Sequence, residues 1–295
     1  MDHLTSPEFV RRLQLLREKL APLMGRLEFF SAAPRGRLTT PEIDSHRPYA
    51  QGEDLRYIDW NLYARLDRFF IKTVVAEEEG LLHLLVDTST SMRNPHPEKQ
   101  PRSLEIAAGI AYLILSAGNQ LAVHSWADRL LLTRQYNRGE SETHDLLHQL
   151  STLPVGGETD LGATLANLRR ISRGHIFRTI IISDLLEING YFQQLEFLQA
   201  QGARVGIIQT LNPLEISPRL RGHLALVDPE TGNRKTRVVG YRTLRTYRKA
   251  VADFHRETEE AFSRMDIPFL RASSLTGFED SVIRFMTLPG WRGGR

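Results

Sequence analysis

The sequence contains no cysteine. Disulfides, thiolate zinc sites and cysteine nucleophiles are therefore excluded, and the composition suits a reducing compartment. Long apolar runs are also missing: no uninterrupted stretch reaches the roughly 20 residues that span a bilayer. The opening residues, MDHLTSPEFVRRL, place charges where a secretory signal would need an apolar core. The location expected from these absences is cytoplasmic. Net charge is scarce as well, because 38 basic residues almost cancel 35 acidic ones and leave +3. Such a balance gives little electrostatic reach, so neither nucleic acid nor membrane is an expected partner. What remains is an ordinary globular composition, 41% hydrophobic and 25% charged over 295 residues, enough for a sizeable core.

The chain is organised around Leu81–Met92, LLHLLVDTSTSM. An apolar run ending abruptly in small polar residues predicts a strand buried on both faces, followed by a tight loop. Asp87, Ser89 and Ser91 place one carboxylate and two hydroxyls on that loop. These are hard oxygen ligands, suited to Mg²⁺ or Mn²⁺ rather than zinc.

Before this stretch, Ser6–Leu23 predicts an amphipathic helix, Gly25–Thr40 a basic loop and Phe69–Val75 a strand. The intervening Pro41–Arg68 has no clean period. After it, Leu104–Leu115 reads as helix, and Leu121–Trp126 and Leu130–Gln135 as a strand pair around Ala127-Asp128. Helices are expected over Ser141–Leu150, Leu161–Ile171 and Tyr191–Gln199, with strands over His175–Ile182 and Val205–Thr210. Leu224–Val239 resembles a hairpin turning at Asp228–Gly232. A long helix, Tyr241–Met265, a short strand near Pro268 and a helix over Gly277–Thr287 follow, and Pro289–Arg295 reads as a frayed tail.

Alternating strands and helices imply an α/β fold with a doubly wound, mostly parallel sheet flanked by helices. The expected divisions are an N-terminal helix and loop extension (1–76), the α/β core (77–215), and a closing hairpin with helices (216–295). In such a sheet, Asp184, ending the run Ile180–Ile182, emerges at the same carboxyl edge as Asp87. Thr159, in a glycine-rich loop, can approach both.

In combination, Asp87-x-Ser89-x-Ser91, Thr159 and Asp184 resemble the metal-ion-dependent adhesion site of von Willebrand factor A domains. The resemblance implies that Ser89, Ser91 and Thr159 bind a divalent ion directly. Asp87 and Asp184 would act largely through its bound water, leaving one position for an acidic side chain from a protein partner. Upstream, Arg47-Pro48-Tyr49, Gly52-Glu53-Asp54, Arg56, Ile58-Asp59-Trp60 and Ala64-Arg65 resemble the signature of the family called domain of unknown function 58. That resemblance implies a MoxR-class AAA+ ATPase, or its client, as partner, and an adaptor role in client assembly or maturation. The ion, Mg²⁺ or Mn²⁺, could be held only when the partner is present. Many family members also carry amino-terminal transmembrane helices.

Other readings compete at each motif. The serine loop alone could be a solvated turn capping a helix. A haloacid-dehalogenase-type phosphatase also uses a strand-end aspartate, but it would need a second aspartate where Ser89 stands. A Mg²⁺-dependent hydrolase at the same cluster is the enzymatic alternative; the main reading has no catalytic residue and no small-molecule substrate. The arginines of the 47–65 block could pair with Asp54, Asp59 and Asp67 around a buried Trp60. His144 and His148 have a zinc-compatible spacing but no evident third ligand. Arg234–Lys249 holds seven basic residues, which a solvated helix face, an acidic partner or nucleic acid could each explain.

Overall fold

The computed structural model describes residues 2–24, 43–48, 58, 60–74, 81–137, 139–172, 178–186 and 190–291. The elements are α1 (Pro7–Met24), β1 (Ile43–Pro48), α2 (Trp60–Leu66), β2 (Phe70–Val74), β3 (Leu81–Asp87), α3 (Lys99–Ser116), β4 (Gln120–Trp126) and β5 (Leu130–Tyr136). Then come α4 (Thr143–Ser151), α5 (Leu161–Ile171), β6 (Arg178–Ser183), α6 (Tyr191–Ala200), β7 (Arg204–Leu211) and α7 (Pro213–Ile216). The last are β8 (Gly222–Val227), β9 (Arg234–Val239), α8 (Tyr241–Arg264), β10 (Phe269–Ser273) and α9 (Phe278–Met286). Contacts divide the chain into two units, residues 31–80 and residues 1–30 with 81–295.

In the smaller unit, β1 and β2 pair antiparallel, with His46 opposite Lys72. Tyr63 of α2 stacks on Phe69, ring centroids 4.5 Å apart. The basic loop expected over Gly25–Thr40 lies outside the described residues.

The larger unit is built on a six-stranded sheet in the order β10-β7-β6-β3-β4-β5. Every neighbouring pair is parallel except β4 with β5. β3 and β6 are mostly apolar because both faces are covered, and every residue of each is buried. Leu82, Leu84, Val86, Ile180 and Ile182 face a core shared with α1, α3, α4 and α9. Leu85, Ile181, Val205 and Ile207 face the other core, built with α5, α6 and α8. The α1 stripe Phe9, Leu13, Leu16 and Leu20 follows helical spacing and is wholly buried against the first core. The sheet is therefore doubly wound and flanked by helices, as the alternation of elements implies. Among the described residues, no helix is long and apolar enough to cross a membrane.

Two expectations need correction. α3 starts at Lys99, not near Leu104, because Pro101 falls in the first turn, where its missing N–H costs nothing. The segment after α9 is not frayed at its start. Trp291 is 1% exposed and packs edge-on against Phe285, centroids 5.2 Å apart. It fills the slot left by Gly206 in β7, where a Cβ would lie 2.2 Å from the indole.

Candidate metal centre

The strand order fixes where a ligand can sit. From β3 the chain passes to α3 on one face of the sheet, and from β6 to α6 on the other. β3 and β6 are neighbours, so the loops leaving their carboxyl ends diverge and open a crevice between them. Asp87 ends β3, and Asp184 follows β6 directly.

Asp87 folds the first loop over itself. Its Oδ1 accepts from the Ser89 N–H at 2.9 Å, and its Oδ2 accepts from the Ser183 hydroxyl across the crevice. Thr88 donates to the carbonyl of Trp126 through both N–H (2.9 Å) and Oγ1 (3.1 Å), which pins the loop to β4. The Ser89 and Ser91 hydroxyls end 3.1 Å apart. The loop carrying Thr159 is clamped against this one: Gly156 N–H donates to Thr88 O at 2.9 Å and Thr90 N–H to Gly157 O at 3.1 Å. Gly156 and Gly157 have φ of +134° and +96°, which only glycine adopts easily, and a Cβ on Gly157 would press on Ala127 at 3.2 Å. Asp160 then caps α5 by accepting from Ala163 N–H at 2.7 Å.

The structure thus brings Asp87, Ser89, Ser91, Thr159 and Asp184 to one crevice. Asp87 and Ser89 are fully buried and Asp184 nearly so, while Ser91 and Thr159 are half-buried and form the open side. Burial, and then the neighbouring Asp184 charge, push the Asp87 carboxyl up to about 7 against the hydrogen bonds from Ser183 and Ser89.

Three partners were not legible in the sequence. Lys99, at the start of α3, is fully buried and bridges Asp184 Oδ2 and Glu215 Oε1, each at 2.7 Å. Burial works against its charge, but the two carboxylates outweigh it and hold the ammonium pKa above its ordinary value. Glu215 also accepts from Asn212 N–H at 2.8 Å in the capping box of α7. The third partner is Glu230, from the turn between β8 and β9. Its Oε1 accepts from Thr159 Oγ1 at 2.7 Å and its Oε2 from Thr159 N–H at 3.1 Å. The sequence offered one weak signal, the acidic turn Asp228-Pro229-Glu230 ahead of a basic strand.

The donor set fits a hard divalent ion. Adjacent ligands of an octahedral shell with 2.0–2.1 Å bonds lie about 3 Å apart, close to the Ser89–Ser91 separation. Asp87 is a buried carboxylate with no cation in contact among the described residues, an arrangement that a bound ion relieves. Among the described residues, no three His, Asp or Glu side chains form a metal cage. An ion here would draw on hydroxyls, and among the described residues the pair His144 and His148 joins no third acidic or imidazole ligand. Of the upstream block, Arg47 lies in β1, Trp60 opens α2 and Arg65 is exposed in α2. Tyr49, Asp54, Arg56 and Asp59 lie outside the described residues, as does the burial of Trp60.

Comparisons with known proteins come from sequence and structure. The uncharacterized proteins Mb1516 of Mycobacterium bovis and Rv1480 of Mycobacterium tuberculosis are each 29% identical over 197 residues, covering 65% of this chain and 61% of theirs. The match thus spans about three-fifths of the length of these curated relatives. Among solved structures, the conserved hypothetical protein BatB of Bacteroides thetaiotaomicron aligns over 70% of this chain and 97% of its own, with TM-score 0.39 and 11% identity. The manganese-loaded TRAP protein of Plasmodium vivax aligns over 74% and 75%, with TM-score 0.36 and 15% identity. A family model described as "Protein of unknown function DUF58" matches residues 45–260, well over half the sequence. The chain belongs to that family.

Proposed function

We propose that this protein is a non-enzymatic, divalent-metal-dependent interaction module that captures an acidic side chain of another protein. What supports this reading is the pair of buried carboxylates, Asp87 and Asp184, at the β3/β6 crevice, with the Ser89 and Ser91 hydroxyls 3.1 Å apart beside them and the loop of Thr159 hydrogen-bonded to theirs. Ser89, Ser91 and Thr159 would hold Mg²⁺ or Mn²⁺, while Asp87 and Asp184 orient the shell and supply the negative charge. A bound ion contributes an electrophilic position that a carboxylate can occupy. The chain's own part is to fix the loop through Thr88 and Gly157, to keep Asp184 beside Lys99, and to leave Ser91 and Thr159 facing outward. No carboxylate stands where a phosphatase of the aspartate type needs its general acid, because Ser89 occupies that place.

The family resemblance supplies the rest of the proposal: the acidic side chain belongs to a MoxR-class AAA+ ATPase or to its client, and the module acts as an adaptor between them. The complete lack of cysteine fits a cytoplasmic setting. Calorimetric titration with Mg²⁺ and Mn²⁺, with and without the ATPase, tests the site. Wild type is expected to bind the ion, and Asp87→Ala to lose it while keeping its circular dichroism spectrum. A pull-down of the ATPase or client that is indifferent to both EDTA and Asp87→Ala would overturn the reading.

A further inference from the structure

We infer that the hairpin tip Pro229-Glu230 is an internal ligand of the metal centre, standing in for a partner segment that offers an apolar residue followed by a carboxylate. This rests on the reading of the crevice as a divalent-metal site.

Three observations carry the inference. First, Glu230 makes a two-pronged contact with Thr159, the residue on the open side of the crevice, through both hydroxyl and N–H. The carboxylate oxygen lies 2.7 Å from Thr159 Oγ1, close to the spacing of adjacent ligands on one ion. A carboxylate brought to that edge is what such a centre would bind from outside.

Second, the tip is built to present this side chain. Asp228 Oδ1 accepts from Glu230 N–H at 2.9 Å, and Asp228 closes the turn with Asn233 and Gly232 through backbone bonds of 2.9 Å each. Gly232 adopts φ +70° to complete the turn. The strands on either side are exposed almost throughout, yet Glu230 is half-buried. Apart from Val239 at its base, the hairpin makes its closest approach to the rest of the chain at this tip.

Third, an apolar groove of about 270 Å³ runs beside Ser91. Pro229 sits on its rim, with Leu186, Leu211, Ile216, Val251 and Phe254 among its walls. The dipeptide therefore meets two adjoining features at once, its acid at the Thr159 hydroxyl and its ring at the edge of the still open groove. A partner displacing it would need the same pair of chemistries. Because Glu230 is tethered, it competes at an effective concentration on the order of millimolar. Only a partner segment with additional contacts would displace it.

The test uses the full chain, Mn²⁺ as the metal, and the blocked dipeptides N-acetyl-Leu-Glu-amide and N-acetyl-Gly-Glu-amide as probes, on wild type and Glu230→Gln. Three hydroxyls and one carboxylate leave two water positions on a six-coordinate ion, and loss of the carboxylate leaves three. Water-proton relaxation per bound Mn²⁺ should therefore rise about 1.5-fold in Glu230→Gln. The Leu-Glu probe should bind that variant at least roughly tenfold more tightly than wild type, and more tightly than the Gly-Glu probe does. Equal relaxation and equal peptide affinity in both proteins, with Asp87→Ala still losing Mn²⁺, would overturn the internal ligand and leave the metal centre standing. Equal binding of the two dipeptides to Glu230→Gln would remove the groove from the recognition. Absence of Mn²⁺ binding in wild type and variant alike would overturn both this inference and the metal reading.

Discussion

Lys99 shows how much a single buried charge can decide. It is sealed from water with Asp184, and its charge is tolerable because Asp184 and Glu215 both face it. Replacement by Met fills the same volume but strands the Asp184 carboxylate. Lys99→Met is expected to cost about 3–5 kcal/mol, read as a fall in the urea midpoint at constant slope. Gly206 is the converse case, a position where nothing can be added. Its missing Cβ admits the Trp291 ring, so Gly206→Ala should cost about 1–3 kcal/mol, part of which Trp291→Leu should recover in the double variant. That Asp87, Ser89, Ser91, Thr159 and Asp184 fall at strand ends and in the loops beside them was legible because these places announce themselves locally: a strand stops, a polar loop starts, a glycine pair precedes a helix. Lys99 and Glu230 were not, since their partners lie 85 and 71 positions away and their local sequence reads as plain surface.

At the scale of elements, the hairpin β8–β9 and the sheet differ in what protects them. β3 and β6 are covered on both faces, whereas β8 and β9 form a two-stranded ribbon with most residues exposed. Amide exchange should be slowest in β3 and β6 and faster by several orders of magnitude in residues 222–239. Exchange in the hairpin as slow as in the sheet would mean that it is packed more firmly than its exposure implies. The first half of α8 is equally open: Arg242, Arg245, Arg248 and Lys249 all face solvent, the simplest account of that basic run. Interior strands were readable as continuous apolar runs. β1 was not, because its sequence IDSHRP has no alternation of its own and owes its strand form to pairing with β2.

For the molecule as a whole, two buried imidazoles set an acid limit. His83 and His124 lie 3.0 Å apart across β3 and β4, and His124 contacts Thr133 Oγ1 at 3.0 Å. Burial pushes His83 down to about 4; burial, aided by the His83 charge, pushes His124 down to about 3. Both rings are neutral in the folded state while the unfolded chain still takes up protons, so their contribution is complete above about pH 6.5 and is lost as pH falls toward 4. By pH 5 each ring should have cost up to about 2 kcal/mol, and His124→Gln should flatten that decline in a series of urea titrations. The doubly wound architecture itself was legible because alternation of strand and helix constrains topology so tightly. The route by which its ends meet was not. Arg12 of α1 grips Glu279 of α9 at 2.7 and 2.9 Å and lies over the Phe278 ring, across 267 positions of chain. A chain emerging in order makes α1 long before its seat is complete. That helix meets α3 early, but the α9 part of its seat, with the Arg12–Glu279 pair, closes only after the last strand and helix have been made, so this corner of the core rests on contacts of the highest sequence separation in the molecule.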